Sequence, residues 1–283
     1  MPAISIGLPV YNGAKHLEAA LDSLLNQSFS DFEIIISDNA STDDTQSICE
    51  RYASRDSRIK YFRQIENIGA PGNFRFVYEQ AGSQLFKWMA HDDWVDPDWL
   101  SVLVPVAISR KAIVFGYLQM ITYDGAKMDH KGNGREMEFA GASLWRQLAY
   151  ANEPANLGKA NIIYGIFPRE VVTPDSFNIF SGYGAKGDVM MLTDCLRRAP
   201  ILFAGPTRLY KRAAAPRPAG APKEKRASVW ERTMLRQFLT LEPLSFRIGY
   251  FLLYPMTLGR MKYGHKLTRL VTRLRGRAQA SKA

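Results

Sequence analysis

Residues 3–38, AISIGLPVYNGAKHLEAALDSLLNQSFSDFEIIISD, contain the pattern that decides the fold. A short apolar run ends at Pro9, an amphipathic segment covers Ala14 to Leu25, and an uninterrupted apolar run covers Phe32 to Ser37. An apolar period near 3.6 residues predicts a helix, whereas a short continuous apolar run is typical of a strand buried on both faces. The stretch therefore predicts a strand–helix–strand unit whose two strands are parallel.

The same alternation continues along the chain. Further strands are predicted at 59–62, 84–89, 112–122, 161–167 and 201–204, and further helices at 41–52, 73–80, 96–109, 142–151 and 188–198. Helices that alternate with strands at this spacing form parallel βαβ units. We therefore predict an α/β domain with a Rossmann-like, mostly parallel sheet and helices on both faces.

Composition and targeting signals narrow the class. Cys49 and Cys195 show no CxxC or Cys/His spacing, which argues against a disulfide framework or a structural zinc site and favours a reducing compartment. The first twelve residues have neither a basic nor a long apolar region, so no signal peptide is expected. No apolar stretch approaches the 18 residues or so of a membrane-spanning helix.

Positive charge is concentrated near the C-terminus. From Gly220 onward there are 14 Lys and Arg against three Glu, which gives this region a net charge of +11. The whole chain has a net charge of +10, so the residues before Gly220 have a net charge of −1. A Pro/Ala-rich stretch precedes this region. We predict a folded domain over 1–212, a linker over 213–228, and a basic, amphipathic helical tail over 229–283.

Polar clusters follow three of the predicted strands, at 9–13, 37–43 and 91–93. In an open parallel sheet, ligands bind beyond the carboxyl ends of the strands, so the clusters should share one edge. Each cluster taken alone is also compatible with ordinary turn chemistry. Asp38, for example, could accept an N–H of a pyrimidine base or bind ribose hydroxyls, or it could cap the turn that follows it.

Asp92 and Asp93 stand side by side after an apolar strand. Adjacent carboxylates repel each other unless a cation or a proton separates them. Mg²⁺ and Mn²⁺ prefer such oxygen ligands and are often held by one or two carboxylates together with substrate phosphates. The alternative is a solvated acidic turn that leads into the next helix.

Residues 9–45, the sequence 66–69 (ENIG) and the acidic pair together resemble the family 2 glycosyltransferases of the GT-A fold, in detail over residues 3–100. The resemblance implies an inverting enzyme that moves a sugar from a nucleoside-diphosphate sugar, with a UDP-sugar favoured, to a hydroxyl acceptor. It also implies a divalent metal, Mn²⁺ or Mg²⁺. The implied acceptor is a glycan of the cell envelope, a polysaccharide or a lipid-linked oligosaccharide.

The resemblance also implies roles for individual residues. The nucleotide-binding residues would be Pro9, Tyr11, Asn12, Asp38, Asn67, Gly69, Asp92 and Arg212, and the metal ligands Asp92 and Asp93. Asp188 would be the catalytic base, because a sugar hydroxyl must lose its proton as it attacks. Its alternative role is a helix cap. Where many members read Asp-x-Asp-Asp, this chain has Ala90 at the first position, so we expect a weaker ribose contact.

The tail is expected to bind the inner, cytoplasmic face of a membrane without crossing it. Its apolar residues recur at three- to four-residue steps from Trp230 to Leu241, and 267–277 contain four arginines. An apolar helix face with cationic flanks is typical of interfacial binding to an anionic membrane. The alternative is that these apolar residues dock on the catalytic domain or on a partner subunit.

Other functions remain open on the sequence. A non-catalytic sugar-nucleotide-binding protein of the same fold is compatible with Ala90. A metal-dependent nucleotidyltransferase would be expected to carry a glycine-rich, basic loop after the first strand, where this chain has PVYNGAK. No nucleic-acid partner is expected, because the basic tail contains no recognised nucleic-acid-binding motif.

Overall fold

The computed structural model describes residues 1–213 together with Phe246, Gly249 and Tyr250. The strands are β1 (Ile4–Val10), β2 (Phe32–Asp38), β3 (Ile59–Arg63), β4 (Leu85–Trp88), β5 (Trp94–Val95), β6 (Ile113–Ile121), β7 (Phe167–Pro168) and β8 (Ile201–Arg212). The α-helices are α1 (Ala14–Leu25), α2 (Thr45–Arg55), α3 (Gly69–Glu79), α4 (Trp99–Arg110), α5 (Ser143–Asn152), α6 (Pro174–Gly182) and α7 (Gly187–Cys195).

The main sheet has the strand order β3-β2-β1-β4-β7, in which β7 runs antiparallel to β4 and the other neighbours are parallel. Both β1 and β2 are buried along their whole length, as their apolar runs predicted. The register pairs Val10 with Asp38 and Gly7 with Trp88. The carboxyl ends of β1, β2 and β4 therefore open onto one edge, which confirms the mostly parallel α/β architecture.

A second, three-stranded sheet has the order β5-β8-β6. Strand β8 runs parallel to β6 and antiparallel to β5, pairing Tyr210 with Trp94. Strand β5 begins directly after the acidic pair. This pairing brings Lys211 and Arg212, at the end of β8, against Asp92 and Asp93 across more than a hundred residues of sequence.

Three local predictions differ from the structure. Residues 159–164 form a 3₁₀ helix instead of most of the strand predicted at 161–167, because the apolar pair Ile162 and Ile163 is buried by a helical turn that ends at Gly165. Helix α6 was not predicted, although Thr173 and Ser176 form a reciprocal capping box at its start. Strand β8 is eight residues longer than the predicted 201–204, since it pairs with β6 along its length.

The predicted linker and tail lie outside the described residues, apart from Ala213, Phe246, Gly249 and Tyr250. Phe246 and Tyr250 are buried, and their rings stack with centroids 6.1 Å apart. A Cβ atom added to Gly249 would lie 2.7 Å from Cδ1 of Leu148, so this part of the chain packs closely on α5. In the part of the chain that the structure describes, no helix has the length and apolarity needed to cross a bilayer.

Candidate functional site

An open pocket of about 310 Å³ lies at the carboxyl edge of the main sheet. It is lined by Pro9, Val10, Tyr11, Asn39, Asn67, Ala70, Asn73, Phe74, Ala90, His91, Asp92, Tyr164 and Lys211. The volume is within the range of small-molecule sites. The pocket therefore brings together residues from all three polar clusters that the sequence placed at strand ends.

One wall of the pocket is held together by two asparagines. Asn39 donates from Nδ2 to Oδ1 of Asn67 at 2.8 Å, and its own Oδ1 accepts from the backbone N–H of Ile68 at 2.8 Å. Oδ1 of Asn67 also accepts from the N–H of Gly69, whose φ of +75° lies in the left-handed region that favours glycine. The loop after β2 and the loop before α3 are thus fixed to each other. Beside them, Tyr11 is 46% exposed and presents its ring to the pocket.

Asp38 lies behind this wall and does not line the pocket. Its carboxylate is fully buried, with one oxygen accepting from the N–H of Ser41 at 2.9 Å. The other oxygen accepts from Arg63 at 2.5 Å and from the Tyr61 hydroxyl at 3.1 Å. Both oxygens are therefore committed to the turn and to an ion pair. Asn39, the next residue, is the polar side chain of this loop that lines the pocket, and the sequence did not indicate this.

Asn12 shapes the loop between β1 and α1 and is not part of the pocket wall. Its φ is +49°, and its Oδ1 accepts from the N–H of Thr42 at 2.8 Å. The next two N–H groups, those of Gly13 and Ala14, donate to side chains of Thr45 and Asp43. These two N–H groups are therefore already paired and are not open to a ligand.

Asn73 is a second pocket residue that was not predicted from the sequence. It is 2% exposed, and its Nδ2 donates to the carbonyl oxygens of Ser37 at 2.9 Å and Val10 at 3.4 Å, which ties α3 to the ends of β1 and β2. Its Oδ1 is buried and has no hydrogen-bond partner among the described residues. The sequence offered one weak indication of this role, a polar residue on the apolar face of a predicted helix.

The two acidic residues have different surroundings. Asp92 lines the pocket, and no described side chain donates a hydrogen bond to its carboxylate. Asp93 is fully buried and accepts from Nζ of Lys211 and from the N–H of Arg212, each at 2.9 Å. Burial raises the pKa of Asp93, although Lys211 opposes the shift. Asp92 is therefore available to a ligand, whereas Asp93 fastens the end of β8.

The residues present fit a divalent cation that is completed by substrate. Within the described ranges, no group of three His, Cys, Asp or Glu side chains could hold a metal by itself. The open carboxylate of Asp92 supplies one oxygen ligand at the pocket wall. Magnesium-like ions commonly take one or two carboxylates and obtain the remaining ligands from water and substrate phosphates. One protein carboxylate at the wall of an open pocket matches that pattern.

Basic residues surround the acidic pair. Nζ of Lys211 lies 4.8 Å from the centre of the Tyr164 ring and faces the pocket. Burial alone would lower the pKa of Lys211, but the attraction of Tyr164, Asp93 and Asp92 outweighs burial and raises it. The guanidinium of Arg212 lies 4.6 Å from the Trp94 ring centre and donates to the backbone oxygen of Asp92. Arg212 thus supports Asp92 from outside the pocket wall.

Lys87 is a fully buried lysine that contacts the backbone of the pocket residue Tyr164. Its Nζ donates to the carbonyl oxygens of Trp88 at 3.1 Å and Tyr164 at 2.6 Å. Burial lowers its pKa to about 7, and Asp93 opposes that shift. Lys87 therefore fixes the backbone of Tyr164 at the pocket floor, a role that the sequence did not indicate.

Asp188 lies in the first turn of α7, where its Oδ1 accepts from the N–H of Val189 at 2.7 Å. Burial raises its pKa, and the Val189 N–H, Lys159 and Lys211 oppose the shift. Asp188 does not line the pocket, but α7 contacts the 3₁₀ segment 159–164, which contributes Tyr164 to the pocket.

Asp194, the other acid of α7, has structural partners. It forms an ion pair with Arg198 and accepts from the Ser176 hydroxyl at 2.7 Å. Of the two acids, Asp194 is the one that forms an ion pair with a described side chain.

Comparison with known proteins agrees with this geometry. A family model described as "Glycosyl transferase family 2" matches residues 5–163. The GalNAc(5)-diNAcBac-PP-undecaprenol beta-1,3-glucosyltransferase of Campylobacter jejuni is 31% identical over 180 residues, which cover 63% of this chain and 55% of the relative. The putative glycosyltransferase EpsH of Bacillus subtilis is 34% identical over 129 residues, covering 45% of this chain and 37% of the relative. The chain thus spans about half the length, or less, of these two curated relatives.

Solved structures show the same fold. S. aureus TarS 1-349 in complex with UDP superposes with a TM-score of 0.60 and 16% identity, covering 91% of this chain and 71% of that one. The same protein in complex with UDP-GlcNAc gives a TM-score of 0.58 and 16% identity, covering 88% and 71%. The architecture is that of the GT-A fold, with the predicted helices and mostly parallel sheet. With a family model that matches more than half of its length, this chain belongs to glycosyl transferase family 2.

Proposed function

We propose that this protein is an inverting glycosyltransferase that transfers a sugar from a nucleoside-diphosphate sugar, with a UDP-sugar favoured, to a hydroxyl acceptor. The observation that carries the proposal is the open carboxylate of Asp92 in a pocket that is also lined by the exposed Tyr11 and by Lys211. Family membership supports the reaction class. The fold shared with a protein solved in complex with UDP and UDP-GlcNAc supports this class of donor.

In the proposed complex the nucleoside lies against Tyr11 and Pro9. An aromatic face stacks on any base and contributes about 1–3 kcal/mol. Asn67 and Gly69 close over the nucleotide from the loop before α3, and Asp38 and Asn12 act indirectly by fixing the loops that form the wall.

Asp92 faces the diphosphate, with Arg212 holding its backbone and Asp93 fixing the neighbouring strand. A divalent cation, Mn²⁺ or Mg²⁺, held by Asp92 would neutralise charge on the diphosphate oxygens.

In the proposed reaction, the acceptor oxygen attacks the anomeric carbon from the face opposite the diphosphate. The new C–O bond forms as the bond from that carbon to the β-phosphate oxygen breaks, and its electron pair stays on the departing nucleoside diphosphate. The acceptor proton passes to the carboxylate of Asp188. A raised pKa suits this role, because a base that binds a proton more strongly takes it more readily at neutral pH.

We further propose that the acceptor is a glycan of the cell envelope or a lipid-linked oligosaccharide, reached at the inner face of the membrane. The name of the Campylobacter relative, which includes an undecaprenol-linked glycan, supports this class, and so does the net charge of the region from Gly220 onward. Because Phe246 and Tyr250 pack against the domain, membrane contact would fall to other residues of the tail.

Donor binding by the full chain tests the proposal. Calorimetry with UDP and Mn²⁺ should show metal-dependent affinity that Asp92→Ala abolishes. Asp31→Ala, an exposed acid at the opposite edge of the sheet, should leave the affinity unchanged. When the protein is then incubated with the acceptor and each of several UDP-sugars in turn, UDP should be released from the sugar nucleotide that is the donor. Equal metal-dependent affinity in Asp92→Ala would remove this residue from the site, and donor binding without transfer would favour a binding protein.

A further inference from the structure

The pocket wall contains one permanent cation among the described residues that line it, and that cation is Lys211. The resemblance to the family had pointed instead to Arg212 as the positive group at the nucleotide. The guanidinium of Arg212 lies over the Trp94 ring and donates to the backbone oxygen of Asp92, and Arg212 is not among the residues that line the pocket. Neighbouring side chains of a strand point to opposite sides, and here Lys211 is the one that reaches the pocket.

The ammonium of Lys211 is held in place by its contacts. One oxygen of Asp93 accepts a hydrogen bond from Nζ of Lys211 at 2.9 Å. The other oxygen accepts from the backbone N–H of Arg212. The Tyr164 ring covers another side at 4.8 Å. An ammonium has three donors, and the described contacts use one of them in a hydrogen bond. Donors therefore remain for a ligand in the pocket, beside the open carboxylate of Asp92.

The cost of burying these charges supports a functional role. A buried ion pair is weak evidence for stability, since well-packed apolar residues of similar volume often serve equally well. Lys211 and Asp93 are both largely inaccessible, and yet Lys211 lines the same pocket as Asp92. A cation that is fixed before the ligand arrives needs little further ordering, so binding an anion costs little reorganisation free energy. This is the basis of preorganised electrostatic stabilisation.

We propose that Lys211 binds the β-phosphate of the donor and stabilises the charge on the departing nucleoside diphosphate, and that Asp93 is the residue that positions it. This inference rests on the proposed function. When the bond between the anomeric carbon and the β-phosphate oxygen breaks, its electron pair stays on that oxygen and the β-phosphate gains one negative charge. A nearby ammonium favours this state over the ground state.

Binding of UDP, UMP and uridine to the full chain, in EDTA to remove metal, tests the assignment without turnover. A charge-assisted hydrogen bond to the β-phosphate corresponds to about a tenfold to hundredfold preference for UDP over UMP. Lys211→Met should lose most of this preference, and Lys211→Arg should retain part of it. Uridine affinity should stay the same in both variants. Lys60→Met, which removes an exposed lysine on β3 that is paired with Glu33, is the matched control.

A second variant guards against misfolding, because Lys211→Met leaves the buried Asp93 without its partner. Lys211→Met combined with Asp93→Asn removes both charges and should also lose the UDP preference, whereas Asp93→Asn alone should keep a part of it. If the wild type prefers UDP and Lys211→Met prefers it equally, the inference is overturned while the proposed function stands. If the wild type fails to bind UDP in EDTA, in Mn²⁺ and in the absence of both, the inference and the proposed function are both overturned.

Discussion

Replacing Asp188 with asparagine should abolish most turnover while leaving the fold and the donor site intact. The amide oxygen of asparagine can still accept from the N–H of Val189, which the carboxylate contacts at 2.7 Å in the wild type. The change removes only the ability to take the acceptor proton. A positioned general base contributes about 10²–10⁴-fold, which corresponds to roughly 3–5 kcal/mol of activation free energy.

The pH dependence follows from the direction of the pKa shift. Burial raises the pKa of Asp188 above its ordinary value of 3.8, so the group becomes protonated and inactive at a higher pH than a solvent-exposed aspartate. Activity should therefore fall as pH decreases through that raised pKa. For stability the sign is opposite to that of a paired carboxylate: between the ordinary and the raised pKa, ionisation favours the unfolded chain. Asp188→Asn should thus unfold at neutral pH at a temperature no lower than the wild type.

The assays are UDP release in the presence of acceptor, across pH, and thermal unfolding monitored by circular dichroism. Asp194→Asn is the matched control on the same helix. It removes the ion pair with Arg198, so it should lower the unfolding temperature and leave turnover by the folded molecules near normal. Turnover of Asp188→Asn close to that of the wild type would refute the assignment of the base. A product that retains the anomeric configuration would refute inversion itself.

Three further outcomes are expected. Tyr11→Ala should weaken binding of UDP and of uridine by similar factors, equivalent to about 1–3 kcal/mol in calorimetry, and an effect on UDP alone would contradict base stacking. Gly13→Ala should destabilise the protein by about 1–3 kcal/mol in urea unfolding, because the added Cβ would lie 2.6 Å from the His91 ring; wild-type stability would show that the loop yields easily. A chain ending at Pro222 should expose Leu148 and unfold at lower temperature than the full chain. It should also co-sediment less with anionic vesicles at low salt, and equal sedimentation of both chains would remove the membrane role from the tail.

The first half of the fold could be predicted because its signals are local. Helix α1 begins and ends at the predicted residues, and β1 and β2 differ from prediction by a single residue at their ends. In a helix or strand with one consistently buried face, the apolar residues recur at the period of that element, so the element can be recognised from the sequence. Once the strands are parallel, their carboxyl ends must share an edge, so the location of the pocket also followed from the sequence.

Residues 159–168 and β8 were less predictable because their structure depends on distant partners. The apolar run around Ile162 reads equally well as a strand or a helical turn, and only its packing in the domain decides between them. Strand β8 continues through polar residues because β5 and β6 supply hydrogen bonds on both sides. No pattern within its own sequence indicates that pairing.

The sequence by itself determined the family, the layout of the sheet and the three strand ends that surround the pocket. The tertiary structure decided which member of each neighbouring pair lines it: Asn39 and not Asp38, Lys211 and not Arg212. Adjacent residues at a strand end have similar composition signals but face different sides of the sheet. Which side chain lines the pocket depends on the strand register and on the hydrogen-bond and ion-pair partners of each side chain. Both are set only when distant segments pack together.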